Sequence, residues 1–286
     1  MKSGFVAVVG RPNVGKSTLV NTLAGGKVAI VSDKPQTTRH RISAVVNGDD
    51  YQLVLVDLPG FQRPRDPLTE HMQRTVDVAL EGVDGFLFVL AADEHIGAGD
   101  RFIAERIYAA GPPVVVALNK VDRLQPAEIA AQIEQAAALG DFHSLHPVSA
   151  LRADGTQPLQ HDLVALLGEG SVYFERGQVT DLPLETRVAE LVREQALERT
   201  REEVPHAVTV EVDEIEEGRV RALVYVETDS QKAILVGKGG TMIKAIGSAA
   251  RPEIELLLGR KVFLELQVKV RPKWRRDERV LEQLGI

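Results

Sequence analysis

Gly10-Arg11-Pro12-Asn13-Val14-Gly15-Lys16-Ser17 follows an apolar run, Phe5-Val6-Ala7-Val8-Val9, and leads into Thr18-Leu19-Val20-Asn21-Thr22-Leu23. Strand, glycine loop and helix with G-x-x-x-x-G-K-[ST] spacing form the pattern of a phosphate-binding loop. The glycines let successive main-chain N–H groups, from Gly10 through Asn13, Val14 and Gly15 to Thr18, turn inward around a polyphosphate at the positive end of a helix. Lys16 then reaches the outer phosphates and the Ser17 hydroxyl ligates Mg²⁺.

Downstream of that loop, apolar runs alternate with helical patterns as far as residue 168. Strands are expected at 5–9, 41–47, 52–56, 85–90, 114–118 and 143–148, with helices at 68–80, 100–110 and 126–139. Several of these runs are almost continuously apolar, as strands covered on both faces are. The expected fold is an α/β P-loop NTPase domain with a mostly parallel sheet and its ligand at the carboxyl ends of the strands.

Four short stretches fall at those ends. Lys34-Pro35-Gln36-Thr37-Thr38-Arg39 lies in a polar loop before the second strand, and Asp57-Leu58-Pro59-Gly60 ends the third. Asn119-Lys120-Val121-Asp122 ends the fifth, and Ser149-Ala150 the sixth. Singly each is common; in this order behind a phosphate loop they describe a guanine-nucleotide site. Asp57 holds the Mg²⁺ shell, while Gly60 brings an N–H close to a γ-phosphate because no Cβ intervenes. A threonine of the mobile loop adds a second hydroxyl to the metal: Thr38 is expected, with Thr37 the alternative. Asp122 can accept from N1–H and the 2-amino group of guanine, a pair adenine lacks. Asn119 supports the base, Lys120 lies along its plane or is simply solvated, and the Ala150 N–H meets O6. Phe61 stands where a glutamine would orient the attacking water. Arg39, His40 and Arg41 read as solvated charges.

The expected N-terminal domain is 1–172, and 173–183 breaks the alternation as a linker. In the remainder, 184–286, a helix with Leu184, Val188, Leu191, Val192 and Leu197 on one side is followed by a hairpin around Glu216-Glu217-Gly218, a short helix, Gly237-Lys238-Gly239-Gly240, a longer helix and a last strand. This is the order of an α+β KH module in its α-first form, type II, whose G-x-x-G turn admits the backbone of single-stranded RNA. Residues 232–279 carry 12 Lys and Arg against 5 Asp and Glu, whereas 181–231 carry 6 against 14. RNA contacts are therefore expected at Gly237, Lys238, Gly239, Gly240 and Lys244, and along the tail at Lys273, Trp274 and Arg275. Trp274 either stacks on a base or packs on its own domain.

Composition bounds the alternatives. The chain has 286 residues and a net charge of -7, which argues against a protein that coats nucleic acid over its whole surface. With no cysteine, disulfides and thiolate metal sites are excluded. No apolar run approaches the ~20 residues needed to span a bilayer, and the first strand begins too early for a signal peptide, so a cytoplasmic location is expected. A metabolic P-loop kinase without an RNA role is the first alternative, and Asn119–Asp122 argues against it. A GTPase whose C-terminal half binds protein is the second.

With these residues placed, the chain resembles the bacterial Era GTPases. The stretches 10–17, 34–39, 57–60, 119–122 and 149–150 match that family's nucleotide-site motifs, and Val236-Gly237-Lys238-Gly239-Gly240 its KH turn. The resemblance covers the chain end to end, whereas the related double-GTPase Der family would need two nucleotide domains. It implies GTP hydrolysis with Mg²⁺ and a role in small-subunit assembly, with the 3′ end of 16S rRNA and the 30S subunit as partners. It also implies a monomer and peripheral contact with the inner membrane. Lys16, Asn13, Thr38 and Gly60 carry the catalysis. In a related group of GTPases an asparagine at the position of Asn13 helps hold K⁺, which supplies charge where an arginine finger otherwise would; Asn13 is alternatively a turn residue. The family more often has Asp-Thr-Pro where this chain has Asp57-Leu58-Pro59.

Overall fold

The computed structural model describes residues 1–34, 36–61, 64–284 and 286. Pro35 of the polar loop lies outside them. The chain divides into two compact units.

The first unit comprises Met1–Ala29, Thr38–Pro64 and Thr69–Asp181. Its strands are β1 (Lys2–Val9), β2 (Ile42–Asn47), β3 (Tyr51–Asp57), β4 (Gly85–Ala91), β5 (Val114–Asn119) and β6 (Ser144–Pro147). They form one sheet in the order β2-β3-β1-β4-β5-β6, with β2 antiparallel to β3 and the other neighbours parallel. Every residue of β4 and β5 is buried, which is why their sequences are apolar without alternation. The helices are α1 (Lys16–Ala24), α2 (Pro67–Ala79), α3 (Ala98–Ala110), α4 (Pro126–Ala137) and α5 (Thr156–Ala165). α4 starts where Pro126 occupies the first turn and Glu128 accepts the Gln125 N–H at 2.8 Å. The sheet closes on Val76, Ile103, Ile107 and Ala136 from the helices and on Leu80 just after α2.

Residues 173–181, expected as a linker, run along this sheet instead. Gln52, fully buried on β3, accepts the Tyr173 and Phe174 N–H groups at 2.8 and 3.0 Å and donates to the Phe174 carbonyl at 3.0 Å. Val45 of β2 donates its N–H to the Val179 carbonyl at 3.0 Å, and both Asp181 carboxylate oxygens accept from Ser43.

The second unit comprises Leu182–Ile286 together with two strips from the first half of the chain, Ile30–Thr37 and Arg65–Leu68. Its elements are α6 (Leu184–Arg199), α7 (Val204–Ala207), β7 (Thr209–Glu216), β8 (Arg219–Val226), α8 (Asp229–Val236), α9 (Thr241–Leu258), β9 (Phe263–Val270) and α10 (Glu278–Gln283). The sheet order is β7-β8-β9, antiparallel then parallel, with a register shift between Val212 and Glu214. α6 and α9 lay Val188, Val192, Ala196, Ile246, Ala250 and Ile254 against it. Thr228 and Gln231 cap α8 reciprocally, side chain to main chain in both directions. α6 was expected to show one apolar face; every residue from Val188 to Leu197 is buried, including Glu190, Arg193 and Glu194, while Leu184 at its start is exposed.

Candidate functional site

The phosphate loop leaves β1 at Gly10 and closes on α1 at Gly15. A Cβ at Gly15, where φ is 96°, would lie 2.3 Å from Asn119 Nδ2, so only glycine lets the loop and the end of β5 approach this closely. Asn119 is a strut. It donates Nδ2–H to the Val14 carbonyl at 3.0 Å and accepts the Ala150 N–H on Oδ1 at 2.9 Å. The Ala150 N–H, expected at the guanine O6, is engaged with Asn119 in this structure, where it supplies the buried amide oxygen with a donor. Val14 is buried, Asn13 is exposed with a positive φ of 65°, and the Thr18 carbonyl accepts from Thr22 Oγ1 at 3.0 Å.

Lys16 is buried and donates to the Gly10 and Arg11 carbonyls at 3.1 and 3.0 Å. Burial lowers its pKa to about 8, and the nearby Asp57 charge works in the opposite direction. Asp57, fully buried at the end of β3, is pushed up by burial, against the pull of Lys16 and of hydrogen bonds from Ser17 and Thr38. Its Oδ2 accepts the Ser17 hydroxyl at 2.7 Å and the Thr38 hydroxyl at 3.4 Å, and the two hydroxyls lie 3.0 Å apart. Asp57 Oδ1 has no hydrogen-bond partner among the described residues. A buried carboxylate with one orphaned oxygen beside two converging hydroxyls fits a hard divalent cation with oxygen ligands, and Ser17, Thr38 and Asp57 are the residues that would hold Mg²⁺. Of the two threonines Thr38 occupies this cluster; Thr37 Oγ1 donates to the Lys34 carbonyl at 2.6 Å.

Gly60 stands where a Cβ would meet Pro12 at 3.0 to 3.2 Å, so the 10–17 loop and the 57–60 stretch come together at that glycine. Leu58 and Phe61 turn into the core. Arg39, read as solvated, is buried at 2% exposure, whereas Arg41 is exposed.

On the base side, the Asp122 carboxyl is held below its ordinary pKa, chiefly by a hydrogen bond from the Ser149 hydroxyl. It therefore stays a two-oxygen acceptor. Lys120 has a positive φ of 68°, and its Nζ lies 3.3 Å from Asp93 and 3.5 Å from Glu94. Neither acid was expected from sequence. They follow β4 and meet Lys120 only because β4 pairs with β5.

In the second unit, Gly237, Gly239 and Gly240 have φ of 72°, 63° and 80°, and Lys238 and Lys244 are exposed. A Cβ at Gly239 or Gly240 would touch nothing, so these glycines answer to backbone conformation and leave open space above the turn. The tail differs from expectation. Trp274 is 0% exposed and donates its indole N–H to the Ala207 carbonyl at 2.8 Å, so of its two readings the packed one holds. Arg275, expected among the RNA contacts, is mostly covered and pairs with Asp66 at 2.6 Å in this structure. Lys273 remains exposed.

Residues 5–120 match the family model described as a 50S ribosome-binding GTPase, and residues 203–275 match that of a KH domain. The chain is 45% identical to GTPase Era of Mycobacterium bovis (strain BCG / Pasteur 1173P2) over 294 aligned residues, which cover 99% of this chain and 98% of that one. Among solved structures it is similar to a variant of Aquifex aeolicus Era, with one tyrosine replaced by alanine, bound to GDP and aluminium fluoride. That match has 38% identity and a TM-score of 0.96 and covers 100% of this chain and 99% of that one. An Era complex with MgGDPNP and nucleotides 1506-1542 of 16S ribosomal RNA matches with a TM-score of 0.94 at 38% identity, over 100% and 99% of the two chains. Identity at this level over the whole length, with both units matched in order, places the chain in the Era family of GTPases.

Proposed function

We propose that this chain binds and hydrolyses GTP with Mg²⁺ in its first unit and binds single-stranded RNA, the 3′ end of 16S rRNA, through the Gly237–Gly240 turn, acting in assembly of the small ribosomal subunit. The observation that carries the nucleotide half is the convergence of Ser17, Thr38 and the half-satisfied Asp57 beside the Gly15–Lys16 end of the loop. Mg²⁺ bound there supplies positive charge to the β- and γ-phosphates. Lys16 and the loop N–H groups then face the charge that develops as water attacks. Because Phe61 is buried, the water is not oriented by a side chain at that position. The relatives supply the RNA: the Era complex at TM-score 0.94 holds 16S rRNA nucleotides, and this chain has the same KH unit. Among the described residues no helix is long and apolar enough to cross a membrane.

The base assignment is tested by Asp122→Asn, which exchanges an acceptor oxygen for a donor. We expect the preference to move from GTP to xanthosine triphosphate, with GTP affinity falling at least tenfold on the ~1.5–3 kcal/mol of a charge-assisted hydrogen bond. Wild-type protein that hydrolyses ATP as fast as GTP would overturn it.

Asn13, exposed on the loop, suits a K⁺ ligand in place of an arginine finger. Turnover is then higher in K⁺ than in Na⁺, and Asn13→Ala removes the difference; equal wild-type rates in the two salts leave Asn13 a turn residue.

A further inference from the structure

The phosphate loop carries an arginine directly after Gly10, and by charge alone a cation there would suit a phosphate. Its side chain is committed elsewhere. Arg11 Nε donates to Asp100 Oδ1 at 2.8 Å, and Nη2 lies 3.1 Å from Glu94 Oε2. The guanidinium fork thus spans two acids, one in the segment after β4 and one in the first turn of α3. Asp100 is 0% exposed, and its Oδ2 accepts the Gly97 N–H at 2.9 Å. Both oxygens of this buried carboxylate are therefore satisfied, one by the start of α3 and one by the phosphate loop. The packing is close as well, since a Cβ at Gly99 would lie 3.0 Å from Arg11 Cδ. Arg11, Glu94 and Asp100 all belong to the first unit.

What the pair does follows from Lys16. An ammonium has three N–H donors, and Lys16 gives two of them to the Gly10 and Arg11 carbonyls at 3.1 and 3.0 Å. Those carbonyls aim the remaining N–H, the one left for the β- and γ-phosphates. Gly10 follows β1 directly, whereas Arg11 lies in the loop between β1 and α1 and has its side chain as its hold on the rest of the unit. Well-packed apolar residues of like volume are commonly as stable as a buried ion pair or more so, which leaves stability a poor reason for this one. We propose that Asp100 and Arg11 are positioning residues for the GTP site: the Asp100 carboxylate holds the Arg11 side chain, which fixes the Arg11 carbonyl and so the direction in which Lys16 meets the nucleotide. Glu94, partly exposed, adds a weaker second hold. This rests on the assignment of Lys16 to the phosphates made above.

The test compares affinities of the full chain for GMP, GDP and a Mg²⁺-bound non-hydrolysable GTP analogue. GMP lacks the phosphates that Lys16 reaches, so a positioning role affects the other two ligands only. In Asp100→Asn an amide N–H must face either Arg11 Nε–H or the Gly97 N–H. We expect it to weaken GDP and the analogue about tenfold, the worth of a charge-assisted hydrogen bond, and GMP by less than about twofold. Arg11→Met should do the same, and the double variant should bind no more weakly than the weaker single, because both remove one interaction. In the double variant the amide oxygen of the new side chain keeps the Gly97 bond and no buried charge is stranded. A cooperative melt near the wild-type midpoint then separates lost affinity from lost fold. The sign of the Asp100→Asn effect distinguishes positioning from direct contact. GDP bound as tightly as by wild type, or more tightly, would mean that the released Arg11 serves the phosphates itself, and overturns the proposal. Equal weakening of GMP and GDP overturns it too. If Asp100→Asn shows no cooperative melt, Glu94→Ala, which releases only the partly exposed prong, takes its place with the same expected sign. Lys16→Met protein with wild-type GDP affinity overturns the Lys16 assignment instead.

Discussion

Asp162 on α5 carries a pH-dependent share of the first unit's stability. Its carboxylate faces Ser144, His146 Nε2 at 2.9 Å and His161 Nδ1 at 3.3 Å, and these partners lower its pKa to about 2, the Ser144 hydrogen bond contributing most. A folded-state pKa below the unfolded value stabilises the fold above about pH 4, and the contribution is lost as pH falls from about 4 to about 2. Partial exposure reduces the gain, so Asp162→Asn should destabilise by about 1 kcal/mol at pH 7. Urea titrations of both proteins should converge near pH 2; a gap that persists there would mean that packing, rather than the charge, sets the cost. His146 touches Ser144 and Asp162 through the same ring nitrogen, so the trio cannot relay a proton to the serine and is structural.

At the scale of elements, the turn between α8 and α9 is expected to carry the RNA contact, and the tail after β9 to contribute less than its charge suggests. Lys238 is exposed above three glycines with positive φ, whereas Arg275 is tied to Asp66 and Trp274 is enclosed. Lys238→Glu should weaken binding of a single-stranded rRNA oligonucleotide and reduce the slope of log affinity against log salt by about 0.7, the share of one phosphate contact in a single strand. An unchanged slope would take Lys238 out of the interface. Strands and loop motifs were legible because their signals are local: β4 and β5 are unbroken apolar runs, and the 10–17, 57–60 and 119–122 stretches each end or follow a strand. Trp274 was not, because its partner, the Ala207 carbonyl, is 67 residues away and its cationic neighbours in sequence suggest RNA. The polar side of α6 was missed for the same reason. Helical spacing identifies the face toward its own sheet, and nothing in it reveals that the Val31 N–H and the Thr37 carbonyl meet Glu194 and Arg193 on another.

At the scale of the whole molecule, the end of the first unit falls after residue 181, and stability should follow. β2 lies at the edge of the sheet, and an uncovered edge is a template for pairing with other chains. Here the end of the 173–181 segment covers it: the Val179 carbonyl accepts the Val45 N–H, Thr180 bridges Ala44, and Asp181 takes both the N–H and hydroxyl of Ser43. Removing the segment opens Ser43 and Gln52 to water, so what is lost is the net worth of their hydrogen bonds to it. At a net ~1 kcal/mol for each of these five bonds, the loss is about 5 kcal/mol, a large part of a domain's stability. A fragment of residues 1–181 should therefore unfold at a higher urea concentration than one of residues 1–172 and remain monomeric at concentrations where the shorter one associates. Equal unfolding midpoints would mean that the segment rests on the sheet without supporting it. Gln52→Leu in the longer fragment separates the two effects, since it deletes the clamp on Tyr173 and Phe174 and leaves Asp181 to hold the edge. It should lower the midpoint without promoting association.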